Sequence, residues 1–181
     1  MSFVKFPLIK LINTDKFLLS DQNNFMKKII SIFLLFIVSN LNAQKSETEA
    51  VKKTIIEFFD AFHKQDTTRL KEMVTDKITL QSISVNKDGK TVLQESSYDQ
   101  FVKNIASIPK DRTFEEKLLD FSIQIDGSMA NAWTPYEFWY QGKFSHCGVN
   151  SFQLIKEDNT WKIIYLVDTR RREGCRENSK N

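Results

Sequence analysis

Three short polar breaks in the last third of the chain constrain its fold more than anything else. Asp126-Gly127, Gln141-Gly142 and Asp158-Asn159 separate four strand-length segments: Phe114 to Ile125, Met129 to Gln141, Lys143 to Lys156 and Thr160 to Arg170. Breaks this short join only antiparallel neighbours, because a parallel crossover needs about a dozen residues or more. The chain therefore closes in an antiparallel meander. Both cysteines (Cys147 and Cys175), His146 and the basic run Asp168-Thr169-Arg170-Arg171-Arg172 fall in the same region.

Upstream the periodicity is helical. Val51, Ile55, Phe58, Phe59 and Phe62 recur at three- and four-residue intervals and mark one apolar stripe of a helix over Ser46 to Gln65. Ser46 with Glu49 reads as a capping box at its start. Asp66-Thr67-Thr68 breaks it and can cap a second, short helix through about Thr75. From Lys77 the period changes to two, with Ile78, Leu80, Ser82 and Ser84 opposed to Thr79, Gln81, Ile83 and Val85. Neither set is cleanly apolar, so its facing stays open. Asn86 to Lys90 is a turn containing Asp-Gly, and Thr91 to Glu95 can return as a short strand. Tyr98 to Ser107 is a third helix, stopped by Pro109. The order predicts an α+β domain, with helices packed on one face of a strongly curved antiparallel sheet.

The first 43 residues are of a different kind. Met26-Lys27-Lys28, an apolar run from Ile29 to Val38 and a polar approach to Ala43 read as a secretory signal, 26–43. A membrane span needs about 20 apolar residues, so no stable anchor is expected after its removal. Residues 1–25 resemble neither a domain nor a signal. Their simplest reading is a non-structural upstream extension before a start at Met26; a genuine extension would leave the apolar segment internal and able to anchor. The expected location is periplasmic or secreted. Lys5, Lys10, Lys16, Lys27 and Lys28 lie in this leader with Asp15 and Asp21, so 26 basic residues less five and 23 acidic less two leave 21 of each. The basic balance belongs to the leader and is no sign of nucleic-acid binding.

An even pair of cysteines in an exported chain is a disulfide candidate, Cys147 with Cys175; two free buried thiols are the alternative. With no CxxC and no histidine pair at helical spacing, neither a metal nor a cofactor is expected.

Three segments, IIEFFDAFHKQD, LKEMVTDKITL and NSFQLIKEDNTWKIIYLVDTRR, taken in this order and spacing, resemble the nuclear transport factor 2-like superfamily. The resemblance is to its polyketide-cyclase-like and lumazine-binding-like branch, in an exported bacterial form, and covers about Glu47 to Arg172. It implies a domain over 44–172, followed by a tail over 173–181. It also implies a cone-shaped, cystatin-like roll around the first helix, with a cavity at the open end. Ketosteroid isomerases of the superfamily place a tyrosine and a catalytic aspartate where this chain has Phe59 and Ser82. A phenylalanine donates no hydrogen bond and a serine is no carboxylate base, so that activity is not expected.

Face assignment along the meander yields a candidate pocket. Alternation puts His146, Gly148, Asn150, Phe152 and Leu154 on one face, and Ala132, Thr134, Tyr136, Phe138 and Tyr140 on a matching face unless Pro135 shifts the register. On the last strand Trp161, Ile163, Tyr165 and Val167 would point inward, and Asp168 outward unless a bulge re-aims it. The ligand-contacting set is then Phe59, Tyr136, Phe138, Asn150 and Tyr165, with His146 as a candidate acid–base catalyst or a purely structural histidine. His63 is assigned to the dipole at the end of the first helix. The arginine run is either an anion clamp or a solvated tail. These features point to a domain that binds a small apolar or aromatic molecule. The alternatives are a cofactor-free cyclase, isomerase or dehydratase using His146, and a homodimeric interaction module working through its sheet face.

Overall fold

A computed structural model describes residues 26–27 and 44–175 of the chain. The residues read as an upstream extension (1–25) and most of the signal segment (26–43) lie outside the described residues, as does the end of the tail, 176–181. The chain divides into two units, Met1–Lys45 and Ser46–Asn181, and the second holds the fold.

Helix α1 is described over residues 44–64 and is already helical before Ser46, so the Ser46/Glu49 pair does not cap its start. Its expected stripe forms: Val51, Ile55, Phe58, Phe59 and Phe62 are all buried. Phe58 and Phe59 meet Phe152 of the sheet edge-on, with ring centroids 6.3 and 6.2 Å away. Such pairs contribute about 0.5–1.5 kcal/mol beyond the area they bury. Near the other end of the helix, Glu47 accepts from Lys156 Nζ at 2.7 Å and from Trp161 Nε1 at 3.1 Å, which fixes the helix against the sheet.

Helix α2 spans Thr67–Glu72, with the Asp66 side chain accepting from the Arg69 amide as its cap. It is shorter than its sequence pattern suggests, because strand β1 (Val74–Val85) already claims Thr75. Strand β2 (Thr91–Ser96) returns beside β1, and helix α3 (Tyr98–Ser107) follows, capped by Ser97. The Phe62 and Phe101 rings stack at 5.9 Å and join α3 to α1.

The segment read as one strand over Phe114 to Ile125 is two: β3 (Phe114–Leu118) and β4 (Ser122–Asp126), which pair successive stretches of the same neighbour. That neighbour is β5 (Met129–Tyr140), followed by β6 (Lys143–Glu157) and β7 (Thr160–Arg170) in the expected meander. The turns between them place Gln141, Gly142, Asp158 and Asn159 at positive φ, the geometry that suits the twist of a two-residue hairpin. The sheet order is β2-β1-β7-β6-β5-β3, with β4 also on β5; the sheet is curved and unclosed. One pair breaks the antiparallel rule, since β1 lies parallel to β7. Pro135 keeps its register opposite Val149, so the shift considered there does not occur.

Two shifts do occur, and they matter for the site. Opposite β6, strand β7 carries one extra residue, Ile164, because Tyr165 pairs with Gln153 while Ile163 pairs with Leu154. Strand β6 carries its own extra residue, Ser145, opposite β5. Past the end of β7 the backbone stays in register: Arg171 exchanges two 2.9 Å bonds with Cys147, and Cys147 and Cys175 form a disulfide. The closed loop spans 28 positions. Cys175→Ser should therefore lower unfolding free energy by about 3–4 kcal/mol in urea denaturation under oxidising conditions, and by close to nothing when both proteins are reduced.

Candidate functional site

The inner faces of β1, β5, β6 and β7 and the apolar sides of α1 and α3 enclose a cavity of about 380 Å³. Phe58, Phe59, Phe62 and Phe101 give it an aromatic wall on the helices. A polar wall comes from four strands: Ser82 of β1, Glu116 of β3, Asn150 of β6, and Asp168 and Arg170 of β7, with Phe138 of β5 directly beside Glu116. Leu80, Gln81 and Ser82 line the cavity, and Ile78 and Leu80 pack against the core, which gives β1 the facing left open by its sequence.

Of the expected ligand contacts, Phe59, Tyr136, Phe138 and Asn150 line the cavity, as does His146. Tyr165 does not line it. The extra residue at Ile164 reverses the alternation, so Trp161 and Ile163 face the core below it while Leu166, Asp168 and Arg170 face the cavity above it. Tyr165 turns away, and its hydroxyl donates to Gln81 Oε1. By the same step Val167 leaves the inward set and Asp168 joins it.

Asp168 is the hub of the polar wall. Tyr136 Oη directs its proton between Asp168 Oδ2 at 3.1 Å and the Thr169 carbonyl at 3.0 Å, and Arg170 Nε donates to Asp168 Oδ2 at 2.8 Å. Burial, reinforced by the charge of Asp168, pushes the Tyr136 phenol well above its ordinary range, so it acts only as a neutral donor. Gly148 makes this geometry possible. A Cβ there would lie 1.7 Å from the Thr169 carbonyl oxygen and 2.8 Å from the Tyr136 ring, so the neighbouring backbone and ring close in where no side chain fits.

Glu116 is a cavity residue that the sequence reading missed. Asn150 Nδ2 donates to its Oε1 at 2.7 Å. Part of the residue's surface is uncovered, but its carboxyl group lies deep in the protein. Burial, offset in part by the Asn150 bond and reinforced by Asp168, pushes its pKa up to about 8. Near neutrality Glu116 is thus mostly a protonated acid. Its signal was its place between Phe114 and Leu118, two apolar residues on one face of a strand. His63 serves it: Nε2 accepts from the Glu116 amide at 2.8 Å, which ties β3 to α1 and replaces the helix-dipole role expected for this histidine. Burial lowers the His63 pKa, consistent with a neutral ring that accepts at Nε2.

His146 stacks on Phe138 at 4.9 Å and meets Tyr136 edge-on at 5.9 Å. Its Nδ1 is 3.1 Å from Ser145 Oγ, within the bulge of β6. Burial, together with the charges of Arg170 and Arg172, holds its pKa below the ordinary value despite Asp168. Among the described residues no cluster of three or more His, Cys, Asp or Glu side chains could hold a metal ion, and no helix is long and apolar enough to cross a membrane.

No family model matches the chain, and no curated protein matches its sequence. Solved structures do match. A scytalone dehydratase-like protein from Novosphingobium aromaticivorans aligns with TM-score 0.58 at 11% identity, over 72% of this chain and 88% of that one. A nuclear transport factor 2-like protein from Cytophaga hutchinsonii aligns with TM-score 0.53 at 14% identity, over 68% and 97%. The chain has the nuclear transport factor 2-like fold. An uncharacterised protein with a cystatin-like fold from Caulobacter vibrioides gives the same picture, with TM-score 0.52 at 17% identity over 70% and 90%. At these identities the likeness establishes architecture alone. In this example of the nuclear transport factor 2-like fold, the cavity carries a polar wall that includes Glu116 and Asp168.

Two consequences can be measured. Glu116 binds its proton more tightly folded than unfolded, so its contribution to stability is complete below its ordinary value of 4.5 and is lost as pH rises through about 8. Glu116→Gln mimics the protonated acid. Above pH 8 this variant should be more stable than the parent, by something on the order of 2–4 kcal/mol, and the difference should shrink toward pH 5. Gly148→Ala should destabilise by about 3 kcal/mol or more in chemical denaturation, because overpacking and a broken Tyr136 hydrogen bond add.

Proposed function

We propose that this domain binds a small molecule with an apolar or aromatic body, seated against Phe59, Phe62, Phe101 and Phe138, whose oxygen-bearing group meets Glu116 and Asp168. One observation carries the reading: a cavity of about 380 Å³ lined by five phenylalanines and two carboxyl groups. Pockets of this size with a few convergent polar groups are the usual form of small-molecule sites. Secretion or a periplasmic location belongs to the same proposal, supported by the signal-like segment 26–43 and by a disulfide, which persists in oxidising compartments.

A second reading is favoured by the state of Glu116. An acid still protonated near pH 7, sharing a cavity with the Arg170-paired Asp168, can work as a donor beside an acceptor. In a dehydration, Asp168 would take a proton from carbon as the C–H bond breaks. Glu116 would protonate the departing hydroxyl, and the products would be an alkene and water. Glu116, rather than His146, takes the acid's part in this reading, since His146 is held neutral and bonds Ser145 rather than a carboxylate. The scytalone dehydratase-like neighbour lends it analogy only.

Small molecules extracted from the purified full chain and identified by mass spectrometry should include an apolar or aromatic oxygenated compound, absent from Leu166→Trp, which fills the cavity. An empty parent protein that also fails to bind N-phenyl-1-naphthylamine would overturn the binding reading. If the site moves protons, the extracted compound should exchange a carbon-bound hydrogen in D₂O, and Glu116→Gln should slow its turnover by about 100-fold or more. Binding without exchange or turnover would leave a binding protein.

A further inference from the structure

We propose that the arginines at the end of β7 form an anion site at the mouth of the cavity, and that the bound molecule carries a carboxylate, sulfonate or phosphate group there. The inference rests on the cavity reading above and specifies its ligand. A second concavity of about 670 Å³, lined by Val85, His146, Arg170, Arg171, Arg172 and Glu173, adjoins the inner cavity and shares His146 and Arg170 with it. Those two side chains stand at the boundary between the cavity and the concavity.

Charge favours an anion there. Three arginines and a single acidic residue, Glu173, line the concavity. Asp168 engages Arg170 only through Nε, and neither Arg171 nor Arg172 has an ion pair among the described residues. Their forks are thus open to bidentate contact with an oxyanion. The excess is local, because residues 44–181 are balanced in charge.

The segment is also held in place. Arg171 is bonded through both its backbone N–H and its carbonyl to Cys147, and the disulfide from Cys147 fixes the segment again at Cys175. Closing the loop at both ends removes much of the ordering cost that a free arginine tail meets on binding. The clasp and the mouth are therefore one construction: Cys147 lies on the outer face of β6, and the strand it anchors presents Arg170 to the inner face.

A matched pair of probes tests the site on the oxidised full chain: 2-naphthoate and its neutral methyl ester, compared by isothermal titration calorimetry. The acid should bind about tenfold or more tighter than the ester, as expected for a charge-assisted contact at the mouth. That ratio should fall as salt is raised to about 0.5 M. In the double variant R171Q/R172Q, and in C175S, the ratio should drop to within about twofold of one. The remote variant K110Q should retain the parental ratio, and circular dichroism should confirm that each variant is folded. An ester that binds as tightly as the acid, or an acid preference that survives R171Q/R172Q, would overturn the anion site while leaving the cavity reading in place. Failure of both probes to bind would overturn the two together.

Discussion

Everything in the interior of this domain depends on one extra residue in its last strand. Ile164 has no partner in the β6 register, and the strand's alternation reverses across it. Below that point Trp161 and Ile163 are buried against the core, where Trp161 also bonds Glu47 of the first helix. Above it Leu166, Asp168 and Arg170 face the cavity. A regular strand would have to choose. If it kept Trp161 and Ile163 inside, Tyr165 and Val167 would fill the cavity wall, and the Asp168–Arg170 pair would face away from the cavity. The bulge lets one strand seal a core at one end and furnish a polar wall at the other.

The polar wall is assembled mainly by contacts between strands, with the Arg170–Asp168 pair of β7 at its centre. Ser82, Asp168 and Asn150 occupy paired positions on β1, β7 and β6, and Glu116 joins them through Asn150. Tyr136 reaches Asp168 because Gly148 allows the Thr169 carbonyl into the space a side chain would occupy. Burial above all, with the charge of Asp168 added to it, raises the cost of ionising Glu116, which keeps its proton while Asp168 pairs with Arg170. The disulfide secures the same corner from outside, since Cys147 holds Arg171 and Cys175 one register step from Gly148.

Much of this was legible in the linear chain. The Phe58, Phe59 and Phe62 stripe, the short turns, the Tyr98–Ser107 helix and the inward set on β6 all follow from local period, and local period survives folding wherever the strand is regular. Cys147 and Cys175 were readable as a pair, though only folding brings them to a Cα–Cα distance of 5.9 Å. Legibility failed where the chain is irregular or where the partner is distant in sequence. Tyr165 was assigned inward because nothing in TWKIIYLVDTR marks Ile164 as the extra residue. His63 was given to its own helix because its partner, the Glu116 amide, lies 53 positions away.

The sequence by itself determined the layer architecture, the meander and the faces of the regular elements, because hydrophobic periodicity and turn chemistry act over a few residues. Only the tertiary structure decided the facing of β1, the inward turn of Asp168 and the protonation of Glu116. Each of these rests on burial and charge contributed by strands far apart along the chain. The chemistry of the pocket was written in residues whose types were plain to read, but whose surroundings did not exist until the sheet curled around the first helix.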